Sequence, residues 1–149
     1  MQNTDTVGAL LRDKPPGIHS ISPTATVFEA ISLMAERNIG ALPVLQHGHL
    51  VGMLSERDYT RKVILLGRSS KVTFVGEIMT RDPRTVSADN TVNDCMEIMT
   101  ENRVRHLPVV EDGKLIGLLS IGDLVKWIMS AQTATIEHLT RYVFGEQVG

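Results

Sequence analysis

The chain is written twice, and that repeat constrains the fold more than any other feature. A shift of 65 residues lays residues 22–58 over residues 87–123 with fourteen identities. Among them are Thr26/Thr91, Val27/Val92, Met34/Met99, Glu36/Glu101 and Asp58/Asp123. The densest stretch sets Leu42-Pro43-Val44 on Leu107-Pro108-Val109, followed by Gly48/Gly113, Gly52/Gly117 and Ser55/Ser120. Two copies are too few for a solenoid, in which each unit buries only its neighbour's face. A pair implies two half-domains packed about a pseudo-twofold axis.

Each copy reads as strand, helix, strand, strand, helix, so the expected class is α+β, with two α/β-type βαββα repeats. His19-Ser20-Ile21 and Arg84-Thr85-Val86 are short extended runs. Thr26 and Thr91 offer a side-chain oxygen to the orphan N–H groups of a following helix. Val27, Ile31 and Met34 fall at helical spacing and predict a buried stripe; Val92, Met96 and Met99 repeat it. The apolar runs 41–45 and 50–54 are split by Gln46-His47-Gly48-His49, a hairpin whose glycine supplies a positive φ. Glu111-Asp112-Gly113-Lys114 repeats the turn. Val7-Gly8-Ala9-Leu10-Leu11 and Val75-Gly76-Glu77-Ile78-Met79 predict short helices before each copy, here at an offset of 68. The expected division is a first repeat over 7–66, a linker over 67–74, a second repeat over 75–131 and a helical tail over 132–149. In the tail, Ile136, Leu139, Tyr142 and Val143 form an apolar stripe that needs a surface to cover it.

Composition excludes several classes. No run approaches 18 apolar residues, so no membrane-spanning helix is expected. The first residues carry neither a basic start nor an apolar run, unlike a secretory signal. The single cysteine, Cys95, sits where the first copy has Ala30, and reads as buried packing in a reducing, cytoplasmic setting. Fifteen basic residues against seventeen acidic give a net charge of −2, without the basic surplus of a nucleic-acid-binding domain. Walker, nucleophile-elbow and His-Glu-x-x-His signatures are missing, as is any Cys-x-x-Cys, so neither catalysis nor a metal is expected. His47 and His49 flank a turn glycine and read as solvated turn residues, and Trp127 as core or interface.

The informative element is Gly52-Met-Leu-Ser55-Glu-Arg57-Asp58 with its echo Gly117-Leu-Leu-Ser120-Ile-Gly122-Asp123. A strand ends, a hydroxyl follows, and a carboxylate comes three residues later. Serine at the cap with aspartate at the third helical position is a local capping pattern that needs no ligand. The same geometry suits a nucleotide: exposed N–H groups favour phosphate, and a fixed carboxylate accepts from both hydroxyls of a ribose. A single copy leaves the two readings level, and the doubled motif beside basic residues favours the second.

This doubled Gly-h-h-Ser-x-x-Asp, the doubled Leu-Pro-Val and the Val-x-x-Ala helix opening resemble a tandem pair of cystathionine-β-synthase (CBS) domains, over about residues 7–130. The resemblance implies a stand-alone, non-catalytic regulatory pair with two clefts for adenosine-containing ligands: AMP, ADP, ATP, NAD or S-adenosylmethionine. Each cleft takes its base-holding wall from one repeat and its ribose aspartate from the other. One would use His19, Gly40, Ala41 and Pro43 with Ser120, Gly122 and Asp123. The other would use Arg84, Arg105, His106 and Pro108 with Ser55, Arg57 and Asp58. Pairs of this kind resemble half-discs that dimerise, so a homodimer is expected, together with a regulated protein that the residues do not identify.

The arginines make the second of these clefts the cationic one, suited to phosphate, and an unperturbed His106 would add charge below about pH 6.5. The first has little fixed charge, with Lys14 and Arg37 as the cations within reach. Two other classes stand beside the sensor: a small adenylate-acting enzyme, for which Asp58, Asp123 and His106 are the candidates, and a structural module with empty clefts.

Overall fold

The computed structural model describes residues 4–131. The amphipathic tail expected beyond Ala131 lies outside the described residues. The elements run α1 (Val7–Asp13), α2 (Val27–Arg37), β1 (Ala41–Gln46), β2 (His49–Ser55), α3 (Glu56–Tyr59), a π-helical turn (Thr60–Ile64), α4 (Val75–Ile78), β3 (Thr80–Arg81), α5 (Val92–Asn102), β4 (His106–Glu111) and β5 (Lys114–Ser120). A last helix, α6, occupies residues 121–131. Strand order is β1-β2-β3 in one antiparallel sheet and β4-β5 in the other.

The two repeats match in detail. Each hairpin turns through two residues of positive φ, His47 and Gly48 (52° and 80°) or Asp112 and Gly113 (49° and 75°), the backbone of a tight antiparallel turn. Each carries a register shift at the same place, Val44/Leu45 and Val109/Val110. The leading strand of each repeat shrinks to one parallel bridge, Ile21 to Val44 and Val86 to Val109. It is held by the proline carbonyl of the Leu-Pro-Val motif: Ile21 N–H donates to Pro43 O and Val86 N–H to Pro108 O, both at 3.1 Å.

The helix stripes form one step round from the expected positions. Val27 and Met34 are buried, but Ala30 rather than Ile31 completes the row. In α5 Cys95 takes that central place between Val92 and Met99, and Met96 is only partly buried. Burial pushes the Cys95 thiol up to about 11, which suits packing rather than thiolate chemistry.

The two cores exchange their opening helices. Val7 and Leu10 of α1 pack with Val86, Val92, Leu107 and Leu119 of the second repeat. Val75, Ile78 and Met79 pack with Val27, Leu42 and Leu54 of the first. Backbone bonds stitch both crossings: Val7 N–H to Asn90 O (2.8 Å), Val92 N–H to Asp5 O (2.8 Å), and Val75 N–H to Ala25 O (2.9 Å). The motif glycines make room for these crossings. A Cβ on Gly117 would lie 2.7 Å from Leu11 Cδ2, and one on Gly52 would lie 2.7 Å from Met79 Sδ and 2.9 Å from Thr80 O.

Within residues 67–74, which read as a linker, Thr73 is anchored against the first repeat: it is 2% exposed, and its carbonyl accepts from Val27 N–H at 2.8 Å. The sequence copies therefore divide the chain differently from the hydrophobic cores, and neither core is complete without the other copy's helix.

Candidate functional site

A cleft of about 590 Å³ opens between the repeats. The end of β2 and the start of α3 bring Ser55, Glu56, Arg57 and Asp58 to it. The turn after β3 brings Asp82, Pro83 and Arg84, and the passage from α5 into β4 brings Arg103, Arg105 and His106. Six residues expected in one cleft thus meet there: Arg84, Arg105, His106, Ser55, Arg57 and Asp58. Gly40 and Ala41, expected in the other cleft, line this one as well. A Cβ on Gly40 would stand 3.6 Å from His106 Cε1 and 3.4 Å from Glu56 Oε1, ordinary contact distances that place both side chains beside this backbone. Pro43 and Pro108 are buried inside their strands opposite Met53 and Leu118, and act through their carbonyls on the leading strands. His19 is exposed and does not line the cleft, nor does Gly122.

Asp58 is held in place before any ligand arrives. Ser55 donates to Asp58 Oδ2 from its backbone N–H at 3.0 Å and from its hydroxyl at 3.1 Å. Asp58 N–H donates back to Ser55 Oγ at 3.2 Å, completing a reciprocal cap. Lys62, one turn on, pairs with Oδ1 at 3.1 Å and donates to Ile78 O at 2.9 Å. The capping function and a carboxylate presented to the cleft are therefore the same structure. Arg57 Nη1 donates to Arg103 O at 3.3 Å, a bond from the first repeat to the second across the cleft.

The charge is more balanced than the sequence suggested. Four arginines (57, 84, 103 and 105) share the cleft with Glu56, Asp58 and Asp82. Arg103 is there because it ends α5 in the left-handed region, at φ 53°. Asp82, also at positive φ (48°), was legible only through the offset of 68, which pairs Asp82-Pro83 with Lys14-Pro15.

The expectation of an unperturbed His106 is corrected. Burial pushes its pKa down, Lys14 and Arg105 push the same way, and Asp123 opposes them without prevailing. Protonation of the imidazole is thereby disfavoured, and it adds less charge to the cleft than an unperturbed histidine would.

The second motif is engaged differently. Ser120 N–H donates to Asp123 Oδ2 at 2.8 Å and Asp123 N–H to Ser120 Oγ at 3.0 Å, as in the first repeat. Lys14 Nζ also binds Asp123 Oδ2 at 2.7 Å, and it donates to Leu118 O at 2.6 Å. Burial alone would raise the Asp123 carboxyl, but the Lys14 and Ser120 bonds outweigh it and hold it below the usual range. Among the described residues no group of three or more His, Cys, Asp or Glu could hold a metal ion. No helix among them is long and apolar enough to cross a membrane.

The family model of the CBS domain matches residues 7–64 and again 75–130. The chain belongs to the CBS-domain family. A CBS-domain protein of Burkholderia ambifaria MC40-6 has the same fold, with a TM-score of 0.82 and 49% identity over 85% of this chain and 96% of that one. The mitochondrial CBS domain-containing protein CBSX3 of Arabidopsis thaliana is 42% identical over 125 residues, 80% of this chain; the match spans 61% of that relative's length. CBSX2, solved in complex with AMP, aligns with a TM-score of 0.72 and 30% identity over 86% of this chain and 98% of its own. The α+β pair of CBS repeats is thus established for the chain.

Proposed function

We propose that the Asp58 cleft binds an adenine nucleotide (AMP, ADP, ATP or NAD), and that the CBS pair is a non-catalytic sensor whose ligand biases repeat packing or assembly. The observation that carries this reading is the Asp58 carboxylate, pre-fixed by Ser55, in one cleft with four arginines. A fixed carboxylate suits two ribose hydroxyls, and planar guanidinium groups suit phosphate. The volume falls within the roughly 300–1,000 Å³ of small-molecule sites. The AMP complex of CBSX2 supports the choice of nucleotide. A sensor needs differential affinity for two states. The cleft provides a basis for it, because its walls come from both repeats and Arg57 ties them together.

We further read the chain as a homodimer acting on a separate regulated protein, in the reducing cytoplasm that its lone buried cysteine suits. Calorimetric titration with AMP, ATP, NAD and adenosine tests the ligand, and mass spectrometry of nucleotide released on denaturation provides an independent check. Absence of binding to all four would refute the reading. Turnover of ATP by the purified chain would refute its non-catalytic part, and a monomer by light scattering would refute the dimer.

A further inference from the structure

By the offsets of the repeat, Lys14 takes a position that corresponds to the open cleft of the other half. The offset of 68 that aligns the opening helices pairs Lys14 with Asp82, and the offset of 65 pairs Leu118 with Met53 and Asp123 with Asp58. Asp82, Met53 and Asp58 all line the open cleft. The three groups that Lys14 unites are therefore the counterparts of three cleft-lining positions: its own ammonium, the Leu118 carbonyl and the Asp123 carboxylate. Where the open cleft has the Asp82 carboxylate in its lining, the second motif has a cation bonded to Asp123.

Lys62 does not play this part for Asp58. It comes from the same helical segment, reaches Oδ1 while bound to Ile78 O, and does not line the cleft. The second repeat has Trp127 at the Lys62 position. The Asp123 cation comes instead from the N-terminal segment, which α1 anchors on the second core.

We propose that Lys14 occupies the ribose-binding carboxylate of the second cleft and keeps a ribose from it, so that each chain takes one nucleotide, at Asp58. The proposal rests on the nucleotide reading of the open cleft. A ribose entering at Asp123 would replace a charged donor with two neutral hydroxyls. It would also strand an ammonium that has two short bonds and is only 34% exposed.

Calorimetric titration of the full chain with AMP tests it. One AMP per wild-type chain is expected, and two per chain for both Lys14→Met and Lys14→Gln. Affinity at the new site should rise by roughly tenfold or more, the equivalent of one charge-assisted hydrogen bond. The added site should vanish when Asp123→Ala is combined with Lys14→Met, and survive when Asp58→Ala is. Two AMP per wild-type chain, or one in both Lys14 variants, overturns the gate while leaving the nucleotide reading intact. If the wild type binds none, that reading falls. The gate then stands only if Lys14→Met gains a single Asp123-dependent site, and is overturned if it too binds none.

Discussion

Replacing Asp58 with alanine removes two functions at once, and the structure allows them to be separated. In the free protein the substitution strips the acceptor from Ser55 N–H and Oγ, at 3.0 and 3.1 Å, and the partner from Lys62. Loss of a helix cap costs about 0.5–2 kcal/mol. In the complex it removes the acceptor for ribose hydroxyls, each such bond contributing about 1.5–3 kcal/mol. At about 1.4 kcal/mol per decade, AMP affinity should fall roughly 10- to 100-fold.

Asp123→Ala is the control. It loses the equivalent cap bond from Ser120, at 2.8 Å, and the Lys14 pair. Its stability cost should be comparable, but AMP affinity at the open cleft should stay within about twofold, since Asp123 does not line it. Thermal unfolding and calorimetric titration of both variants give the two numbers. Equal losses of affinity would show that Asp58 acts through stability alone. A full stability loss with unchanged AMP binding would show that the nucleotide lies elsewhere. Either result refutes the assignment of the ribose to Asp58.

Gly52→Ala places a Cβ 2.9 Å from the Thr80 carbonyl, which is backbone and cannot turn aside. It should destabilise by about 1–3 kcal/mol in denaturant unfolding, and a neutral result would refute the tight helix crossing. Gly117→Ala meets Leu11, a side chain that can partly yield, so its cost should be smaller. Arg105→Ala should weaken ATP more than adenosine and reduce the salt dependence of ATP binding, since exposed charges are screened. Equal weakening of both ligands would assign Arg105 to the base or the fold. His106, whose folded pKa is depressed, opposes protonation in the native state. Stability present above its ordinary value of 6.5 should therefore decline as pH falls below it, well before carboxylates such as Asp123 titrate. His106→Gln should flatten that decline in thermal unfolding between pH 7 and 5, and an identical profile would remove His106 as its source.

The sequence by itself determined what is local. Thr26 and Thr91 cap their helices, the two-residue turns close their hairpins, and Ser55 and Ser120 lock their aspartates, because each interaction spans two to four residues and the side chains cannot avoid it. The resemblance to a CBS pair, rather than the residues by themselves, implied that Ser55, Arg57 and Asp58 would share a cleft with Arg84, Arg105 and His106. Only the tertiary structure decided the rest. Which core takes α1 depends on Leu11 filling the space left by Gly117, a match that no periodicity encodes. The charge of the open cleft depended on Glu56, Asp82 and Arg103, brought in by turns of positive φ and a helix start. The state of Asp123 depended on Lys14, 109 positions away along the chain, because an ion pair is set by distance in space and the chain's path alone brings that ammonium to 2.7 Å.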